Sequence, residues 1–200
     1  PGQADLDEFQ SNHPQIRVEV VWIKIPPFER YQSFNEQLSR LTLELLPKTV
    51  ETEFNLIVQN DGYAVNADSW SDEFLRYDYI GASWPHRGPG EDVGNGGFCL
   101  RSKKLYQAIE AIKPKVDYFS LHQEFDWMDS FIDRFGHRSA PEDYVICTLY
   151  RQRLIDEFSI RFAPTELANQ FSVELNFDTP WLGKSFGFHG FLAKSFYPDA

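Results

Sequence analysis

Asp61 stands just past the apolar run Leu56-Ile57-Val58, inside Gln59-Asn60-Asp61-Gly62. In open α/β sheets ligands bind beyond the carboxyl ends of strands. A carboxylate placed there can hold a hard cation such as Mg²⁺ or Mn²⁺, which takes oxygen ligands and keeps positions open for substrate phosphates. Asn-Asp-Gly is also a common turn sequence, in which the carboxylate has only a local role. Phe186-Gly187-Phe188-His189-Gly190 offers a second candidate. A histidine flanked by glycines and phenylalanines is either packed in an aromatic cluster or presented to a site, and a neutral imidazole would suit Mn²⁺. In Val93-Gly94-Asn95-Gly96-Gly97-Phe98 the glycines let the backbone come close to a ligand and expose its amides, although a plain loop or bulge needs the same residues. Arg101, Lys103 and Lys104 follow and could assist an anion, or simply form a solvated first helical turn. Glu142 occupies the fourth place of Ser139-Ala140-Pro141-Glu142, a capping box with proline in the first turn. Asp143 lies one place beyond the capping position, where it could accept a proton from a bound hydroxyl.

Other chemistries lack their residues. There is no HExxH or CxxC for zinc, no GxSxG elbow, and no GxGxxG or P-loop pattern. His13, His86, His122 and His137 have no ligand-like spacing, and Cys99 and Cys147 sit in apolar stretches as ordinary buried thiols.

The elements that must carry these groups follow from periodicity. Residues Ile16 to Ile25 read as a strand ended by Pro26-Pro27; Phe28, Tyr31, Phe34, Leu38, Leu41 and Leu45 recur at helical spacing until Pro47. A strand over Phe54 to Gln59 delivers Asp61, a short helix covers Ser71 to Tyr77, and a strand covers Tyr79 to Ser83. The polar loop Pro85 to Gly97 runs into a strand at Phe98 to Arg101, and Ser102 caps a helix reaching Ile112. Further helices are expected over Glu124 to Phe135, with Gly136 as C-cap, and beyond Pro141, carrying Val145, Leu149 and Leu154. Ser159 to Phe162 reads as a short strand, and the Phe-, Gly- and Trp-rich tail 171–200 as irregular structure folded over the site. The pattern predicts one α/β domain over 1–200, with 1–30 as an N-terminal strand region, built on a mixed, mostly parallel central sheet flanked by helices.

Composition narrows the partners. With 200 residues, 42% of them hydrophobic and 16% aromatic, the chain can bury a sizeable core. No apolar run approaches the roughly 18 residues that cross a bilayer. A formal net charge of −11 argues against nucleic acid and against anionic membranes, and any anionic substrate then needs a local positive device such as a metal ion. The first residues show neither a basic nor an apolar leader region and no initiator Met, so the default location is cytoplasmic and the chain is expected to be part of something longer.

In order, QNDG (59–62), YDYIGASW (77–84), VGNGGFCLRS (93–102), PED (141–143), RFAPTELANQFSVE (161–174) and FGFHG (186–190) resemble an uncharacterised family assigned to the glycosyltransferase-A-like nucleotide-sugar transferases. The resemblance spans roughly residues 31 to 190, and its middle is also similar to the metal-dependent β-galactosyltransferases. It implies a nucleotide-sugar donor and a carbohydrate or other hydroxyl acceptor. Asp61 and His189 would hold Mn²⁺ or Mg²⁺, and Asn60, Asn95, Gly96, Gly97 and Arg101 would line the donor site, with Trp84 stacked on a sugar face. Asp143 would be the base of an inverting transfer, and Glu142 would orient the acceptor. Gln59 stands where the family's metal motif has its first acid, and one βα unit precedes the Asp61 strand where the fold normally has a full βαβ unit, so part of the nucleotide-binding unit is expected to be missing. The competing expectations are a non-catalytic sugar- or nucleotide-sugar-binding module that serves as a scaffold, and a metal-dependent phosphoester hydrolase in which one Asp and one His polarise water.

Overall fold

A computed structural model describes residues 8, 10–12, 14, 37–88, 90–115 and 140–197. The strand expected over Ile16 to Ile25, the first half of the following helix, the helix over Glu124 to Phe135 with its Gly136 cap, and Ser139 lie outside the described residues.

Residues 37–49 are helical (α1), π-wound at Leu41–Leu45 and α-helical at Leu46–Thr49. Pro47 does not end this helix as expected. It falls in the first turn of the Leu46–Thr49 segment, where the winding changes from π to α and proline is tolerated. The alternating residues of Phe54–Val58 (β1) pair antiparallel with Phe98–Ser102 (β4), from Phe54 opposite Ser102 to Val58 opposite Phe98. On its other edge β4 pairs antiparallel with Tyr79–Ile80 (β3), so β1 and β3 run in one direction with β4 reversed between them.

Alternation along β4 assigns its two faces. Phe98 and Leu100 pack with Phe74, Ile80, Val93 and Phe171. Cys99 faces the larger core of Leu105, Ile109, Val145, Ile146 and Leu154. The expected Ser102 cap is present: its hydroxyl accepts the Leu105 N–H at 3.1 Å and opens Lys103–Ile112 (α2). A long helix, α3, covers 142–158, with Glu142–Tyr144 leading into a π-wound Val145–Leu149 and then Arg151–Phe158. Tyr150 N–H reaches back to Val145 O at 2.9 Å, the five-residue step that marks the π segment and often accompanies functional sites. Ser71 to Tyr77 resolves as a 3₁₀ helix over Asp72–Arg76.

A second, smaller sheet was not foreseen. Gly62–Ala64 (β2) pairs antiparallel with Gly187–His189 (β6), which pairs parallel with Ser172–Val173 (β5). Thr165–Phe171 (α4) leads into β5, and Phe191–Lys194 (α5) follows β6.

The fold is therefore mixed α/β, but the expected mostly parallel sheet is not found among the described residues. Antiparallel pairing predominates because the Gly-rich loop returns the chain as β4 against both neighbours. The tail is not irregular throughout either: β5, β6 and α5 are too short to show a period in sequence. Of the strand expected at Ser159 to Phe162, only Phe162 bridges Tyr79, because Ser159 is the left-handed cap of α3. Among the described residues no helix is long and apolar enough to cross a membrane.

Candidate functional site

The turn before β4 is the pivot. Asn95 adopts φ 62°, which Asn tolerates better than most residues, and its Oδ1 accepts the N–H groups of Gly97 and Phe98, both at 3.2 Å. The Tyr79 hydroxyl donates to Asn95 O at 2.9 Å and ties the turn to β3. Contact explains the glycines here. A β-carbon on Gly96 would lie 2.1 Å from Glu142 Oε1, and one on Gly97 would lie 2.0 Å from His189 Nε2. Adjacent residues of one turn thus touch two separate groups of titratable side chains.

The first group comes from the start of α3. Arg101 is wholly buried, its Nη2 3.2 Å from Glu142 Oε1, its Nε against Cys99 Sγ at 3.2 Å, and its guanidinium 5.3 Å from the Tyr79 ring centroid. This corrects two expectations. Arg101 is too deeply buried to line a substrate site, and Glu142, which opens its helix as the first residue and is itself buried, turns its carboxylate to a buried cation rather than to an acceptor. Asp143 is different. It is half-buried, Oδ2 accepting Gly96 N–H at 3.0 Å and Oδ1 accepting Tyr144 N–H at 2.7 Å. Burial foremost, then the charge of Glu142, outweigh those two donors and push its pKa up to about 7. A carboxylate poised near neutrality is suited to moving a proton.

The second group is assembled by the small sheet. Asp61 ends the turn after β1, and the β2–β6 pairing sets Gly62 opposite His189, with Gly190 N–H donating to Asp61 O at 2.9 Å. His189 Nε2 then lies 3.1 Å from Asp61 Oδ1, and Nδ1 lies 2.9 Å from Glu174 Oε1. Burial alone would lower the imidazole pKa; the hydrogen bond and charge of Glu174, with those of Asp61, reverse this and raise it. Glu174 had no part in the sequence reading of the site. The only available signal was its place at the end of RFAPTELANQFSVE, because its role depends on a strand two residues long.

The remaining candidates are less available than their types suggested. Trp84 is only 9% exposed and packs on Gly94, with the Arg87 guanidinium 5.9 Å from its ring centroid, so stacking on a sugar is not open to it as it stands. Asn95, Gly96 and Gly97 are buried, and the Gly96 and Gly97 amides are already taken by Asp143 and Asn95, so they form the floor between the two groups rather than a row of free donors. Asn60 is exposed beside Asp61. A cavity of about 430 Å³ between α1 and the end of α2, lined in part by Arg40, Lys48, Lys113 and Lys115, shares no residue with the site.

The residues that could hold a divalent cation are Asp61 and His189. His189 Nε2 is a buried nitrogen without an aligned hydrogen bond, facing a carboxylate oxygen at 3.1 Å. Among the described residues no three His, Cys, Asp or Glu side chains converge on one point. Asp61 and Nε2 make a two-ligand arm, and Glu174 sits across the ring at Nδ1. Two protein ligands, with the rest supplied by substrate phosphates and water, is a common way to hold Mg²⁺ or Mn²⁺.

No curated protein and no solved structure matches the chain. The model of one family, described as a protein of unknown function (DUF5672), matches residues 17–189, a span that takes in both groups of the site, and the chain belongs to that family.

Proposed function

We propose that this chain is a glycosyltransferase of the glycosyltransferase-A type, moving a sugar from a nucleotide-sugar donor to a hydroxyl acceptor with a divalent cation. The observation that carries the reading is the convergence on one turn: Asp143 bonds Gly96, and the imidazole of the Asp61–His189 arm lies flush against Gly97. A base and a cation arm on neighbouring residues suit a reaction in which one end of a substrate loses a diphosphate while the other gains a hydroxyl oxygen.

The charges explain why a cation is needed. Glu142 is matched by Arg101, and Asp61 and Glu174 share one imidazole, so the two groups hold more carboxylates than cationic side chains in a protein of net charge −11. When bound, Mn²⁺ or Mg²⁺ would supply positive charge for the leaving nucleoside diphosphate. Asp61 and His189 would hold it. In the inverting form of the reaction, Asp143 takes the acceptor hydroxyl proton as the new glycosidic bond forms. Arg101 and Glu142 position the first turn of α3, and burial, with the Glu142 charge second, keeps Asp143 a competent base near neutral pH.

The test is a thermal-shift screen of UDP-, GDP-, CMP- and dTDP-sugars, each with Mn²⁺ and with EDTA. A ligand at one hundred times its dissociation constant adds about 2.7 kcal/mol. One nucleotide should shift the melting temperature only with Mn²⁺, and Asp143→Asn should keep that shift while losing about 10²- to 10⁴-fold in transfer. A shift with no transfer by the wild type would favour a binding module, and undiminished transfer by Asp143→Asn would refute the base.

A further inference from the structure

The two ring nitrogens of His189 have unlike surroundings, and the difference decides where its proton sits. Nδ1 lies 2.9 Å from Glu174 Oε1 and 3.2 Å from Asn95 Nδ2. These neighbours make opposite demands, because a carboxylate needs a proton on Nδ1 and an amide N–H needs a lone pair there. Asn95 cannot resolve the conflict by turning over. Its Oδ1 is held by the N–H groups of Gly97 and Phe98, so the NH₂ end must face the ring. The contact to Glu174 is the shorter and is charge-assisted, and such bonds are about twice as strong as neutral ones. Nδ1 therefore carries the proton in the neutral ring, and Nε2 presents a lone pair toward Asp61 Oδ1 at 3.1 Å. In the protonated ring a proton on Nε2 lies between these atoms; in the neutral ring two electron-rich atoms face each other there, one of them a buried nitrogen without an aligned donor, and a divalent cation can take the proton's place.

The backbone at Glu174 is itself held firmly. β5 runs parallel to β6 with Val173 opposite Phe188, which carries the next residues, Glu174 and His189, side by side. Glu174 N–H donates to Asn176 Oδ1 at 2.8 Å, the Asn176 amide donates to Asn169 Oδ1, and Ser83 Oγ donates to the same oxygen at 2.6 Å. The chain of bonds reaches from β5 to α4 and the segment after β3.

We propose that Glu174 is a positioning residue that fixes His189 in the Nδ1–H tautomer, so that Nε2 and Asp61 together accept a divalent cation. The inference rests on the reading of Asp61 and His189 as a cation arm. It adds that the arm works only because a third side chain, which need not touch the ion, chooses the tautomer.

Glu174→Gln is the informative variant, because it keeps the shape and can offer its amide N–H to Nδ1, which inverts the demand on the ring. Two readouts are taken on the full chain. The ¹⁵N spectrum of the histidines, at a pH where the ring is neutral and with His189 assigned against His189→Asn, reports the tautomer. Electron paramagnetic resonance of added Mn²⁺ reports affinity for the ion alone. The wild type should show Nδ1–H and Glu174→Gln should show Nε2–H, with Mn²⁺ affinity lower by about 10- to 100-fold. Nε2–H in the wild type, an unchanged tautomer in Glu174→Gln, or Mn²⁺ affinity within twofold of wild type in that variant would overturn the proposal. Asp61→Asn separates the two ideas. If the wild type binds Mn²⁺ and Asp61→Asn abolishes it while Glu174→Gln does not weaken it, the positioning role fails and the cation arm stands. If Asp61→Asn binds Mn²⁺ as the wild type does, the arm itself fails.

Discussion

At Gly96 the neighbouring acids are Glu142 and Asp143; at Gly97 they are Asp61 and Glu174, reached through His189. Both groups crowd two carboxylates into a partly dry space, and each supplies one cationic side chain. In the first group the cation is a permanent guanidinium, wholly buried and spent on Glu142, so that Asp143 is left to bear the cost of burial and its pKa rises to about 7. In the second group the cation is an imidazole shared between two acids, and its charge is lost whenever its proton leaves. On the proposed reading the same residue type serves as a base in one setting and a ligand in the other, according to whether the local positive charge is fixed or exchangeable.

The strongest way to break this contrast is to remove the fixed pairing. Glu142→Gln leaves the Arg101 guanidinium buried without a counter-charge, and breaking a buried pair from one side costs about 3–5 kcal/mol. Chemical denaturation should show a loss of that size. Glu157→Gln makes a useful contrast, because its ion pair with Arg153 is exposed and such pairs contribute about 0–1 kcal/mol. Equal losses in the two variants would mean that Arg101 is not held by Glu142 in the way described.

Arg101 also shows what the sequence conceals. In FCLRS the arginine follows apolar residues at the end of a strand and before two lysines, a context that reads as solvated or anion-seeking. Its burial depends on α3 arriving over that face of β4, a contact across 41 residues that no local pattern announces. The parts that were legible have local causes: the alternation that makes β1 and places Asp61, the Ser102 cap of α2, the glycines before β4, and the helix carrying Val145 and Leu154. Glu174 and the small sheet were not legible, because strands of two or three residues carry no period and derive their pairing from the fold around them. Glycine was readable as a requirement at 96 and 97, but its reason was not: these positions are bare to admit side chains of this chain.

The raised pKa of Asp143 sharpens the comparison through pH. The folded protein holds that carboxyl to about 7 against an ordinary value of 3.8. Between those values the native state keeps a proton that the unfolded chain has lost, so stability contributed by this group falls as pH rises through the window, and the full penalty applies above about 7. Asp143→Asn removes the titration. Its single amide oxygen can serve only one of the Gly96 and Tyr144 N–H groups, a pH-independent cost of about 1 kcal/mol. Denaturation at pH 5 and pH 8 should therefore show the wild type losing stability relative to Asp143→Asn on going to pH 8. Parallel pH profiles for the two proteins would show that Asp143 titrates normally, and the base assignment would lose its physical support. Where transfer is measurable, its rate should rise with pH through about 7 and level off above.

The two glycines give the finest division between the groups. Neither has a positive φ, so alanine at either position strains no backbone and acts only through its new methyl. At Gly97 that methyl would lie 2.0 Å from His189 Nε2, and at Gly96 it would lie 2.1 Å from Glu142 Oε1. Each variant should cost about 1–3 kcal/mol, the usual range for overpacking, so stability alone will not tell them apart. Mn²⁺ binding will. Gly97→Ala pushes the imidazole off its seat beside Asp61 and should abolish binding of the ion, while Gly96→Ala disturbs the Arg101 and Glu142 side and should leave that binding within a few-fold of wild type. If both variants lose Mn²⁺ equally, the turn acts as one unit, and the division of labour between a base on Gly96 and a ligand on Gly97 is wrong.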